Sequence, residues 1–132
     1  MNLQIGEKFS THKQITEAVV QAFAELSGDF NPIHLDEEFA KTTRFGQRIA
    51  HGMISAALIS AVLGYEFKER KVVYLSQTLK FIAPVFLGDT VTATATVTKI
   101  REDKPIVTLE TVCSKQNGET TLEGEAVVMI LS

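Results

Sequence analysis

The chain has 132 residues, 45% of them hydrophobic and 22% charged, with a formal net charge of −3 and a single cysteine, Cys113. This composition supports one packed domain over residues 1–132 and excludes a disordered chain. The acidic balance excludes nucleic acid as a partner, because phosphate binding needs a basic face, and a lone cysteine excludes an internal disulfide.

The polar start, Met1-Asn2-Leu3-Gln4, lacks the apolar region of a signal peptide. The longest apolar run, 53–63, is broken by Ser55 and Ser60. It is too short for a bilayer, which takes roughly 20 residues. A cytoplasmic protein with no membrane partner is therefore expected.

Taken in order, residues 8–12 read as a short strand. Thr16 reads as an N-cap, followed by a helix that puts Val19, Val20, Phe23, Ala24 and Leu26 on one side and stops at Gly28. A loop over 29–34 follows. Asp36 caps a short helix over 37–41, with Phe39 and Ala40 inward, and a polar loop surrounds Gly46 over 42–48. The next helix, over 52–64, is apolar on nearly every side and must be wrapped by other structure. Its small residues Ala56, Ala57, Ser60 and Ala61 would let a sheet approach closely.

From Lys71 the period changes to two. Residues 91–98 alternate apolar groups with threonine, the clearest strand in the chain. Another strand covers 106–113, and Asn117-Gly118 signals a type I′ hairpin. Leu122, Gly124, Ala126, Val128 and Ile130 mark the inward face of the last strand. Helices first and antiparallel strands after them define an α+β domain, one central helix against one sheet.

Two stretches carry chemistry. Ser27-Gly28-Asp29-Phe30-Asn31-Pro32-Ile33-His34 holds a carboxylate and an imidazole five residues apart, and Gly28 and Pro32 keep a long helix from forming through it. In Ile49-Ala50-His51-Gly52-Met53 a polar loop gives way to a helix, which leaves free N–H groups near Gly52. An acid/base pair beside a donor for a developing oxyanion suits work next to a carbonyl. On residue types alone, Asp29 also fits a turn-stabilising role, His34 a buried loop histidine, and Gly52 close packing. Asn31 fits either orientation of the site or turn formation, and His51 a cap more than catalysis. The spacing of Asp29, His34, Asp36 and His51 matches no standard zinc pattern, so no metal is expected.

With Phe45 between them, these two blocks resemble the MaoC-like (hydratase 2) family of hot-dog-fold proteins, and within it the short (R)-specific enoyl-CoA hydratases. Gln77-Thr78-Leu79-Lys80-Phe81 and Pro84-Val85-Phe86-Leu87-Gly88-Asp89 resemble the strand and turn that follow the helix in that family. The resemblance implies an antiparallel sheet wrapped around a long central helix. It also implies a homodimer and reversible hydration of trans-2-enoyl-CoA to (3R)-3-hydroxyacyl-CoA. No cofactor is implied, coenzyme A being part of the substrate. It makes Asp29 and His34 the catalytic dyad and Gly52 the oxyanion donor.

Asn31, His51 and Ser76 are the candidates for positioning substrate. Arg44, Arg48, Lys68, Arg70 and Lys71 are candidates for meeting coenzyme A phosphates. Three other functions fit parts of the pattern. One is a dehydratase acting on 3-hydroxyacyl groups of an acyl-carrier protein. Another is a non-catalytic partner subunit of a dehydratase heterodimer, which would be expected to lose the dyad. The last is a hot-dog thioesterase, which would be expected to carry an acid on the central helix, where residues 53–63 have none.

Overall fold

The computed structural model describes residues 3–66 and 71–131. Lys68 and Arg70 lie outside the described residues. The order is β1 (Lys8–Gln14), α1 (Glu17–Ser27), α2 (Pro32–Leu35), α3 (Glu37–Lys41), α4 (Gly52–Ala61) and a π-helical turn (Val62–Glu66). β2 (Lys71–Gln77), β3 (Lys80–Phe81), β4 (Thr90–Ile100), β5 (Ile106–Lys115) and β6 (Thr120–Leu131) complete it. The strands form one antiparallel sheet in the order β1-β4-β5-β6-β2, with β3 also beside β6. It curls around α4, which packs on β1, β4 and β5, giving the hot-dog arrangement.

Local signals set most of the elements. The Thr16 hydroxyl accepts from the Val19 N–H at 3.3 Å, and Gly28 ends α1 at φ 79°, a conformation that suits glycine. The Asp36 carboxylate caps α3 through the Phe39 N–H at 3.1 Å. In β4, Val91, Ala93, Ala95 and Val97 are buried while the threonines between them are only partly so.

Some expectations need correction. Leu26 and Phe39 point outward, because they lie two and one positions from the buried Ala24 and Ala40, too far round a helix to share their side. The Asn117-Gly118 turn is not type I′, since only Gly118 has a positive φ. Gly118 N–H donates to the Lys115 carbonyl and Lys115 N–H to the Glu119 carbonyl, the three-residue loop with a left-handed glycine. The sheet covers one side of α4, burying Ile54, Ser55, Leu58 and Ile59. Met53, Ala57, Ser60 and Ala61 stay exposed in the single chain.

Two features place the wall of the site. β2 and β3 are separated where Thr78 crosses β6 at Gly124, and a Cβ there would overlap the Thr78 carbonyl oxygen. Thr78 and Glu125 exchange two hydrogen bonds of 2.9 Å across that point. The turn over 84–89 is held by Asp89, which accepts from the Phe86 N–H at 2.8 Å and the Gln116 amide at 2.9 Å. Lys115 lies 3.2 Å from the same carboxylate and donates to the Pro84 carbonyl at 3.0 Å. Burial alone would raise the Asp89 pKa, but these donors outweigh it and hold the carboxyl below its ordinary range. The turn in turn receives the Ala50 N–H on the Val85 carbonyl at 2.7 Å and pairs Phe86 with Ile49.

Candidate active site

Asp29 follows the glycine that ends α1. Its carboxylate accepts from the Asn31 N–H at 3.1 Å, so the turn and the acid are one structure. The Asn31 side-chain oxygen accepts from the Ile33 N–H at 3.1 Å and caps α2, with Pro32 at the first helical position. Asn31 therefore uses its oxygen structurally, and its amide N–H groups remain for other partners.

His34 sits on α2, 8% exposed. Its Nδ1 lies 2.7 Å from the Ile49 carbonyl, which can only accept. Nδ1 thus carries the proton, and Nε2 is left as the basic nitrogen. Arg48 donates from Nε to the His34 carbonyl at 2.7 Å and meets Glu17 at 2.6 Å, tying α2 to α1. That engagement places Arg48 in the scaffold. Burial lowers the His34 pKa from its ordinary 6.5 and His51 adds to this, while the Ile49 bond and Asp29 work the other way.

His51 ends the loop before α4 and is 3% exposed. Its Nε2 donates to the Asp29 carbonyl at 2.9 Å. Its ring stacks on His34, centroids 3.9 Å apart and 29° between planes, with Phe23 on it at 4.9 Å. His51 Nδ1 is buried and has no partner. One carboxylate oxygen of Asp29 and one nitrogen from each of His34 and His51 lie within 4.8 Å of one another.

Gly52 is the first residue of α4, so its N–H has no intrahelical acceptor and sits at the positive end of the helix. The Phe81 ring covers its side, and a Cβ on Gly52 would come within 2.8 Å of that ring. A cavity of about 470 Å³ opens here, with His34 and Gly52 among its lining and Phe45, Met53, Phe81 and Ile82 forming apolar wall. Arg44 also lines it, its guanidinium 4.9 Å above the Phe45 ring.

The structure thus gathers Asp29, His34, His51 and Gly52, with Asn31 bracing the loop. Ser76 is not brought in. It is exposed on β2, just past a register shift at Tyr74/Ser76, and does not line the cavity. Cys113 is buried, its thiol pushed up to about 12, with Sγ donating to the Ser55 carbonyl at 3.6 Å. It is the core residue its strand implied. Sequence reasoning missed the Ile49 carbonyl and Phe81. The first is a backbone atom 15 residues away in the chain, and the second carried no local signal beyond an aromatic in a strand.

Fold and site together define a hot-dog protein with a carboxylate and an imidazole close together near the start of its central helix. The chain belongs to the MaoC-like family: a profile described as MaoC like domain matches residues 2–119. The (R)-specific enoyl-CoA hydratase of Aeromonas caviae is 49% identical over 129 residues, 98% of this chain and 96% of that protein. A protein of the same name from Rhodospirillum rubrum is 48% identical, covering 98% of this chain and 89% of its own. The solved structure of an (R)-hydratase from A. caviae involved in PHA biosynthesis superposes with a TM-score of 0.94, at 48% identity and 98% coverage of both chains.

Proposed function

We propose that this protein is an (R)-specific enoyl-CoA hydratase, adding water reversibly to trans-2-enoyl-CoA to give (3R)-3-hydroxyacyl-CoA. One observation carries the reading: an Asp29 carboxylate oxygen and a His34 ring nitrogen lie within 4.8 Å of each other, and His34 shares a cavity with Gly52, whose N–H opens α4. A water held by Asp29 and His34 Nε2 loses a proton as its oxygen bonds to C3. The C2=C3 π electrons move toward the thioester, whose oxygen is stabilised by the Gly52 N–H and the helix start. C2 then takes a proton from the dyad, so atoms and charge balance without any redox partner. Asn31 and His51 support the dyad.

The reading invokes neither metal nor organic cofactor, because in it the dyad moves the proton and the Gly52 N–H stabilises the oxyanion. Activity should survive a chelator. The thioester carrier is coenzyme A, and Arg44 is the described basic group nearest in kind to its phosphates, since it lines the cavity and is exposed. The working form is a homodimer. Its supports are the β2 edge, where Val73, Tyr74 and Leu75 are 43%, 38% and 47% exposed, and the uncovered side of α4. A cytoplasmic location accords with the lone buried thiol. Among the described residues no helix is long and apolar enough to cross a membrane.

The test is crotonyl-CoA followed at the enoyl-thioester absorbance with a parallel free-thiol readout. Loss of the enoyl signal without thiol release is expected. Thiol release would make the protein a thioesterase. Silence with crotonyl-CoA but turnover of the crotonyl carrier-protein thioester would make it a carrier-protein dehydratase. Silence with both would make it a partner subunit.

A further inference from the structure

We propose that His51 is a positioning residue, a platform that fixes the His34 ring and the Asp29 backbone as one unit; this rests on the hydratase reading above. The geometry gives it two separate attachments. Its Nε2–H grips the Asp29 carbonyl at 2.9 Å, and its face carries the His34 ring at 3.9 Å. Its own backbone leads directly into Gly52, the head of α4. One residue therefore touches His34 and the Asp29 backbone and adjoins Gly52.

Among the described residues no other side chain is seen to do this. The Ile49 carbonyl holds only the Nδ1 edge of His34, which leaves the ring free to rock about that bond. The stack removes this freedom. Phe23 packs on His51 at 4.9 Å, and α1 thus backs the platform. The buried, partnerless Nδ1 of His51 is a cost the site carries: an ordinary core residue of that shape would leave no polar atom unpaired. Burial polarity retained at such a place accords with a role for the ring's other nitrogen and its face.

The platform also shields His34 from water. The charged and titratable groups facing His34 are Asp29 from the loop after α1 and His51 from the head of α4. Arg48 reaches its backbone carbonyl, and Arg44 lines the same cavity. Of these, only His51 covers the ring face. Losing it admits water, and His34 then protonates at a higher pH.

Two variants separate the attachments. His51→Gln keeps an N–H for the Asp29 carbonyl and loses the aromatic face. His51→Phe keeps the face and loses the donor. His51→Gln should lower kcat on the order of 10²-fold with KM little changed, as for a misplaced catalytic group. The acid limb of its pH profile should move upward. His51→Phe should also lose kcat, with the acid limb moving less, since the ring face is kept and only the His51 charge is lost. The titration of the His34 imidazole by NMR, without substrate, should show the same contrast.

The proposal is overturned by parental kcat in folded His51→Phe, or by an unmoved His34 titration in folded His51→Gln. A loss confined to KM, or equal movement of the titration in both variants, overturns it too. If His51→Gln does not fold, the kcat of folded His51→Phe decides, and a parental value overturns the proposal. An inert parent protein would sink the hydratase reading, while the NMR titration would still decide the platform.

Discussion

Asp29 and His34 grip one water in the proposed reaction, so they should fail together. Asp29→Asn and His34→Gln are each expected to lower turnover by about 10²–10⁴-fold. The double variant should fall far short of the product, because groups acting as a unit are non-additive. Multiplicative losses in crotonyl-CoA kinetics would mean independent roles. Burial sets the pH response of the pair. A lowered His34 pKa keeps the imidazole neutral below its ordinary 6.5, so the acid limb of kcat/KM should fall below that value. The same sign holds for stability: the neutral form is favoured by folding, and this contribution is full above 6.5 and lost as pH falls toward the folded value. Gly52 has two reasons to be glycine, and Phe81 lets them be separated. Gly52→Ala keeps the N–H but drives a Cβ into the Phe81 ring, and Gly52→Pro does the same while removing the N–H. In a Phe81→Ala background, Gly52→Ala should regain turnover and Gly52→Pro should stay down by roughly 10²–10³-fold. Equal recovery in both would dismiss the N–H as a donor.

At the level of elements, the strand crossing and the turn behind the site carry the testable energetics. Gly124→Ala would push a methyl into the Thr78 carbonyl, backbone that cannot swing aside, and should cost about 1–3 kcal/mol of stability in a urea melt. Lys115→Met leaves Asp89 its Phe86 N–H and Gln116 amide but removes the cation beside it, the lysine side chain being 7% exposed and the carboxylate side chain 15%. A loss of about 1.5–3 kcal/mol is expected, as for a hydrogen bond to a charged group. Because the Asp89 pKa is lowered, its contribution stands above the ordinary carboxylate value of 3.8 and is lost as pH falls through the folded one; the gap between parent and variant should narrow there. These elements also divide what the sequence reveals from what it hides. Thr16, Gly28 and Asp36 act on backbone within four residues, and β4 repeats every second residue, so local reading finds them. The break at Thr78, the bond from His34 to Ile49 and the His34–His51 stack join distant segments, and no periodicity announces them. The Asp29 and His34 pairing was legible only as a motif, through a loop whose path Gly28, Asn31 and Pro32 set.

For the whole molecule, the sheet encloses one side of α4 and stops at β2, with Val73, Tyr74 and Leu75 exposed along that edge. Replacing Val73 and Leu75 together by lysine should give a monomer by light scattering, where the parent should give a dimer; a monomeric parent at micromolar concentration would refute the assembly. The half-covered helix has one more implication. Gly52 stands at the head of the same helix whose Ala57, Ser60 and Ala61 lie bare in a single chain. If a second copy is what steadies that helix, the law of mass action reaches the chemistry. Rate per milligram would then fall on dilution, initial velocity would curve upward with enzyme concentration, and the melting point would climb with the amount of protein in the cell.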